Sequence, residues 1–282
     1  MQSDHPCFTK GVITAIVLSY AAAGAILTWQ VGLWEMVRHV LVNGVIVFAW
    51  LWSARAILRD TPVPESELIR HTAFELGWFL AGLALSVAFA ANAYAGWLPL
   101  PRWLYYLAIY GTGIILFLTQ RYSPRLLGLT WPSRRGWLTV LVAVLINFSA
   151  AVLFQVLPPG ERAVVPQSDL SNQITGPLSV LVLLLGLLFR AAIPEELLLR
   201  VGLQPRLAQF MPLGWAVLVQ ALLFNAGHLP QQLIAYKQPF LLSMGYLLLA
   251  DNGLIGGYVW HRTRSLPLLL VLHLFAYPRL GI

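Results

Sequence analysis

The sequence predicts an all-α, polytopic membrane protein, a bundle of eight or nine transmembrane helices with its active site in the C-terminal helices. Of its 282 residues, 59% are hydrophobic and 10% are Asp, Glu, Lys or Arg, whereas an ordinary soluble domain carries about 25% charged residues. This composition excludes a soluble globular domain and a disordered chain. Cys7 is the single cysteine, which also excludes a secreted module stapled by disulfides.

Long apolar segments recur along the chain, and a spanning helix needs about 20 mostly apolar residues. Strict alternation of apolar and polar residues is absent, so the segments are expected to be helices rather than strands. The first segment is too long for the core of a signal peptide, and we expect it to be retained. The last segment is short, which leaves the count at eight or nine. The predicted spans are 11–34, 39–58, 73–98, 103–120, 136–157, 178–208, 213–235, 239–260 and 265–281.

The net charge of +7 does not indicate a nucleic-acid partner, because the basic residues lie singly or in short groups between apolar segments. More of them fall in inner than in outer loops when the N-terminus is cytoplasmic. The positive-inside rule therefore predicts that orientation. We expect an integral protein of a prokaryotic plasma membrane.

A polar connection at 158–177 is the longest between two apolar segments and predicts the main internal boundary. On this basis residues 1–175 form a set of N-terminal transmembrane helices. Residues 176–282 form a second unit that carries most of the ionisable groups found inside predicted spans. Such groups are expensive in a membrane and mark functional sites by default.

Two adjacent glutamates interrupt the apolar segment 178–208. On an α-helix Glu196 and Arg200 are four residues apart and share one face, so they are predicted to form a structural ion pair. Glu195 points about 100° away from that pair. Its carboxylate is free for chemistry, as a general base requires.

Two histidines lie in later apolar segments. His228 and Glu195 are each roughly 22–24 Å along their helices from the turn near Pro212, so antiparallel neighbours would bring them level. His273 lies about 12 Å from its helix start, a shallower position, and Tyr277 follows it on the same face. Glu195 with the two histidines also resembles a zinc ligand set. No HExxH spacing supports zinc, and we expect no cofactor.

Taken together, these residues resemble the CPBP family of intramembrane proteases, which includes the Rce1-type CAAX prenyl endopeptidases and the Abi proteins. The family pattern EExxxR, FxxxH and HxxxN is similar to Glu195–Arg200, Phe224–His228 and His273–Tyr277, with Tyr277 in place of Asn. The segment 256–266 also resembles the family's Gly-rich helix and its RTGSL turn. The segment 127–129 is similar to a weaker upstream signature. Val201 departs from a frequent Gly.

The resemblance implies a membrane-bound endopeptidase that hydrolyses a peptide bond of a membrane-anchored protein or peptide. Glu195 would activate water with help from His228, and His273, with Tyr277, would lie near the tetrahedral oxyanion. Two other functions stay open on the sequence alone. Buried Glu and His residues also serve proton-coupled transporters, and the Asn-to-Tyr departure at Tyr277 also fits a catalytically inactive scaffold. Arg190, in the same span as Glu195, is assigned neither a partner nor a role.

Overall fold

The computed structural model describes residues 7–59, 69–101, 103–156, 177–249 and 251–276, and these residues contain helices but no strand. Each of the nine predicted spans is represented by at least one helix. We number the helices in chain order as α1 Lys10–Val31, α2 Leu33–Leu58, α3 Thr72–Ala95, α4 Trp103–Thr119, α5 Arg134–Val156, α6 177–207, α7 Leu213–Gly227, α8 Phe240–Leu249, α9 Asp251–Thr263 and α10 Leu266–Ala276.

The chain is an integral membrane protein. Six helical segments are long and apolar enough to cross a bilayer, and α4 and α10 are shorter apolar helices. The outward faces of these helices are apolar: Trp29, Trp52, Leu118 and Leu178 are each more than two-thirds exposed. Contact between such faces and lipid hydrocarbon chains costs no free energy, whereas their contact with water is unfavourable.

The helices pack in two connected groups, one arranged around α9 and the other formed by α3 and α4. Helix α9 contacts α2, α7 and α10, while α1 packs on α2 and α8, and α5 packs on α2 and α10. Helices α3 and α4 form a separate pair that leans on α6. The C-terminal helices therefore occupy the centre of the bundle, and α3 and α4 close one side of it.

The predicted span 213–235 is not one continuous α-helix. Helix α7 ends at Gly227, and a π-helical turn follows at Gln231–Ala235. Pro230 follows the break at His228 as the N-cap of the π-helical turn, and it cannot donate a backbone hydrogen bond. His228 is consequently the C-terminal cap of α7 rather than an interior residue.

A close contact between α7 and α9 depends on Gly253. A Cβ atom built on Gly253 would lie 2.4 Å from the Cα atom of Ala221 and 3.0 Å from its carbonyl oxygen. Because both are backbone atoms, neither can rotate away. Small residues permit this kind of close backbone approach between membrane helices.

We therefore expect Gly253→Ala to lower the free energy of unfolding by about 1–3 kcal/mol, the usual cost of overpacking. The matched control is Gly186→Ala on α6, where nothing lies within 4 Å of the added methyl group. That control should change stability by less than about 0.5 kcal/mol. Thermal unfolding of both variants in detergent measures the difference, and equal midpoints would contradict the packing argument.

Candidate active site

Helix α6 carries Glu195 between two π-helical stretches, Leu188–Ala192 and Glu196–Leu203. Each stretch is followed by a proline, Pro194 or Pro205, whose ring nitrogen has no hydrogen to donate. Carbonyl oxygens one turn earlier thus lose their backbone partner. π-Helical turns of this kind occur frequently at functional sites.

Side chains satisfy these carbonyl groups. At the first break, the backbone N–H of Ile193 donates to Leu188, and the next carbonyl, that of Phe189, accepts a hydrogen bond from the Tyr110 hydroxyl. At the second break, Arg206 Nη1 donates to two carbonyl oxygens at 3.0 Å, those of Val201 and Gly202. The irregular backbone around Glu195 is thus hydrogen-bonded from within α6 and from α4.

Glu196 and Arg200 are both fully buried and form an ion pair, with 3.4 Å between Arg200 Nη1 and Glu196 Oε1. The guanidinium carbon of Arg200 also lies 4.2 Å from the ring centroid of Phe224. This aromatic face adds a cation–π contact. The arginine is therefore held between a carboxylate on its own helix and a ring on α7.

His273 lies between the two glutamates. Its Nδ1 atom lies 2.8 Å from Glu196 Oε1, a hydrogen bond in which the imidazole N–H donates to the carboxylate. Its Nε2 atom lies 3.8 Å from Glu195 Oε2, which is too long for a hydrogen bond. His273 thus connects the buried ion pair to the second glutamate.

The shallow position predicted for His273 is corrected by where α10 begins. Ser265 and Leu266, at its start, are both buried. The N–H of Leu266 donates to the carbonyl of Gly128 at 2.9 Å, inside the loop between α4 and α5. Since α10 begins below the surface of the protein, a residue only two turns along it reaches the level of Glu196.

Glu195 faces a different environment from Glu196. Its side chain is 13% exposed, and its Oε2 atom is buried and accepts no hydrogen bond from the described residues. Glu195 lines a cavity of about 460 Å³ between the α3–α4 pair and the α6–α7 pair. One of the two adjacent carboxylates is therefore committed to an ion pair, and the other faces open space.

His228, at the C-terminal end of α7, lines the same cavity. Its Nδ1 atom lies 3.0 Å from the carbonyl oxygen of Phe224, so Nδ1 carries the hydrogen and donates. In the neutral ring the other nitrogen, Nε2, then has a free lone pair. The rings of Phe224 and His228 contact each other, with centroids 5.0 Å apart.

The cavity wall combines apolar side chains with a few polar groups. Tyr94, Tyr105 and Tyr106 come from α3 and α4, and Arg190 and Gln231 come from α6 and the π-helical turn after α7. His273 is not among the described residues that line it. Tyr277 lies outside the described residues. The oxyanion role that the family resemblance gives to His273 and Tyr277 stays a prediction.

A second buried ion pair was not predicted from the sequence. Arg206 donates to Glu75 Oε2 through Nε at 3.0 Å and through Nη2 at 2.7 Å, and both side chains are fully buried. The Tyr122 hydroxyl donates to Glu75 Oε1 at 2.6 Å. Burial and this carboxylate raise the pKa of Tyr122 above its ordinary value, which keeps the phenol protonated. This cluster ties α3 and the loop after α4 to the end of α6.

Comparison with known proteins relates the helices that carry this site to a protein family. Residues 177–277 match the model of the type II CAAX prenyl endopeptidase Rce1-like family. These residues form an Rce1-like domain. Neither a curated protein nor a solved structure matches the chain. The Rce1-like domain holds α6 to α10, and with them Glu195, His228 and His273. The family consists of CAAX proteases that hydrolyse peptide bonds, so the chain is a hydrolase of the membrane.

The ion pair in the Rce1-like domain leads to a stability prediction. Replacing one partner, as in Glu196→Gln or Arg200→Gln, leaves a buried charge behind and should cost about 3–5 kcal/mol. The double variant should lose less than the sum of the single losses. Thermal unfolding of the three variants in detergent tests this expectation, and strictly additive losses would show that the two side chains do not interact.

Proposed function

We propose that the protein is a glutamate-type intramembrane endopeptidase, in which Glu195 activates water to hydrolyse a peptide bond of a membrane-anchored protein or peptide. The observation that carries the proposal is the inequality of the two adjacent glutamates. Glu196 is held by Arg200 and His273, whereas Glu195 faces the cavity with a buried oxygen that accepts no hydrogen bond from the described residues. A base needs an available lone pair directed at the reacting water.

In the proposed reaction a water molecule lies between Glu195 and Nε2 of His228, both of which are hydrogen-bond acceptors on residues that line the cavity. Glu195 takes one proton from the water while the water oxygen attacks the carbonyl carbon of the substrate. The tetrahedral intermediate then collapses, the carbon–nitrogen bond breaks, and Glu195 gives its proton to the leaving amine. The products are a carboxylic acid and an amine, which separate as carboxylate and ammonium once the acid proton has passed to the amine, and Glu195 returns to its starting state.

His228 assists by orienting the water. Donation from Nδ1 to the Phe224 carbonyl directs the unprotonated Nε2 away from the helix backbone. His273 is proposed as a positioning residue, because its ring contacts Glu196 and faces Glu195. O–H donors for the oxyanion are available on the cavity wall from Tyr105 and Tyr106.

No cofactor is part of this proposal. The histidines direct one nitrogen each to Glu196 and to a backbone carbonyl. Among the described residues, no group of three or more His, Cys, Asp or Glu side chains is placed to hold a metal ion. The proposal accordingly gives the chemistry to the carboxylate and the imidazole.

The central test is Glu195→Gln. General acid–base catalysis contributes about 10²–10⁴ to a rate, so we expect turnover to fall at least by that factor while the protein stays folded. Purified protein in detergent is incubated with a library of quenched fluorescent peptides that carry an apolar anchor, and cleavage sites are read by mass spectrometry. Glu195→Asp keeps the carboxylate and should retain part of the activity. Wild-type turnover in Glu195→Gln would remove Glu195 from the mechanism.

Chelation tests the metal-free reaction. Exhaustive treatment with a chelator should leave the cleavage rate within about twofold of the untreated enzyme, because Glu195 needs no metal to act as a base. A loss of activity that added zinc restores would instead make Glu195, His228 and His273 metal ligands. The unfolding midpoint is recorded in parallel, so that a structural effect of the chelator is recognised.

A further inference from the structure

We propose that Arg190 binds a carboxylate of the peptide substrate and thereby fixes which peptide bond lies over Glu195. This inference rests on the proposed function and adds a binding contact to it. It starts from the placement of Arg190 on the wall of the cavity that also contains Glu195. The arginine belongs to the first π-helical stretch of α6.

The π-helical stretch explains why the two residues share a face. In a regular α-helix, side chains five residues apart point about 140° away from each other. A π turn takes up an extra residue, so residues five apart across it come close to one face. The Tyr110 hydroxyl holds this turn through the Phe189 carbonyl. Arg190 and Glu195 therefore line one cavity although a regular helix would separate them.

The position of Arg190 in α6 argues against a headgroup contact. It lies about 20 Å from the start of α6 and about 25 Å from its end. Arginines that reach the membrane surface by extending their side chains lie near helix ends. The cost of an arginine side chain at this depth is offset by water, by an anion or by carbonyl groups.

The charges around the cavity leave Arg190 available for a ligand. Its side chain is exposed and makes no ion pair or hydrogen bond with the described residues. Two acidic side chains on neighbouring α3 and α6 already form ion pairs, since Glu75 pairs with Arg206 and Glu196 pairs with Arg200. Glu195 faces the same cavity without forming an ion pair with Arg190.

A carboxylate fits this site better than a neutral group. The planar guanidinium donates two parallel hydrogen bonds to a carboxylate, and such charge-assisted bonds are about twice as strong as neutral ones. An extended peptide advances about 3.3 Å per residue, and Arg190 and Glu195 are about 7.5 Å apart along the helix axis. The bound carboxylate would thus lie a few residues from the bond that is cut.

The test compares peptides that differ in one carboxylate. The best-cleaved library peptide is made with a free or amidated C-terminus, and with Glu or Gln at one internal position, so that a terminal and a side-chain carboxylate are distinguished. We expect the wild-type protein to prefer one carboxylate form by about 10- to 100-fold in kcat/KM. Arg190→Gln should abolish the preference, which is measured as the ratio of kcat/KM between the carboxylate and neutral forms of each peptide. Arg190→Lys should retain part of it.

The matched control is Arg134→Gln, which removes an exposed arginine at the start of α5, away from the cavity. It should leave the preference unchanged. A preference that persists in Arg190→Gln would overturn the proposal. So would an equal loss of cleavage for all four peptides, since that result would assign Arg190 to the chemistry or the fold rather than to carboxylate recognition.

Two further measurements separate this proposal from a failure of the proposed proteolysis and from binding of a lipid phosphate by Arg190. Binding of one anchored fluorescent peptide of fixed sequence, in its carboxylate and amide forms, is measured in the Glu195→Gln background. Arg190→Gln should there erase a carboxylate preference even if no peptide is ever cleaved. All assays use a maltoside detergent with and without lysophosphatidylglycerol. Competition by this lipid that depends on Arg190, with no peptide preference, would show a lipid phosphate as the ligand and overturn the proposal.

Discussion

The energetic cost of charge inside a membrane governs this structure. Glu196 meets that cost with Arg200 and His273, and Glu75 meets it with Arg206 and the Tyr122 hydroxyl. These contacts hold helices together, and the charged groups that form them are not available for a reaction. Among the charged side chains of α6, the two that line the cavity are Glu195 and Arg190. The proposed chemistry and the proposed substrate contact belong to these two residues, because neither pairs with an arginine, lysine or carboxylate side chain in the described part of the chain.

The N-terminal helices contribute directly to this arrangement, although they lie outside residues 177–277, which match the family model. Tyr110 of α4 holds the first π turn of α6, and Glu75 of α3 holds Arg206 at its other end. Arg206 in turn satisfies two carbonyl groups near Pro205. The irregular helix that presents Glu195 therefore depends on contacts from helices that lie outside the matched residues.

Local spacing allowed much of the site to be predicted from sequence. The helices follow from long apolar segments, and the Glu196–Arg200 contact joins residues one turn apart, which any helix brings together. Contacts across long sequence separations could not be read in this way. Glu75 and Arg206 are 131 residues apart, and nothing in either apolar segment identifies the other. The buried start of α10 was equally hidden, because it depends on how the loop after α4 folds over Ser265 and Leu266.

The cavity has two walls with different contents. The wall from α6 and α7 carries Glu195 and His228, and the wall from α3 and α4 carries tyrosines and small apolar side chains. A peptide in the cavity would contact both. Changes in α3 or α4 can then alter which side chains fit without altering the residues proposed to activate water. Selectivity and the activation of water are in this way separable within one cavity, and only the oxyanion donors proposed on α4 belong to both walls' functions. The family match covers the α6–α7 wall and not the α3–α4 wall, so the α3–α4 wall is the place to test for determinants of substrate choice.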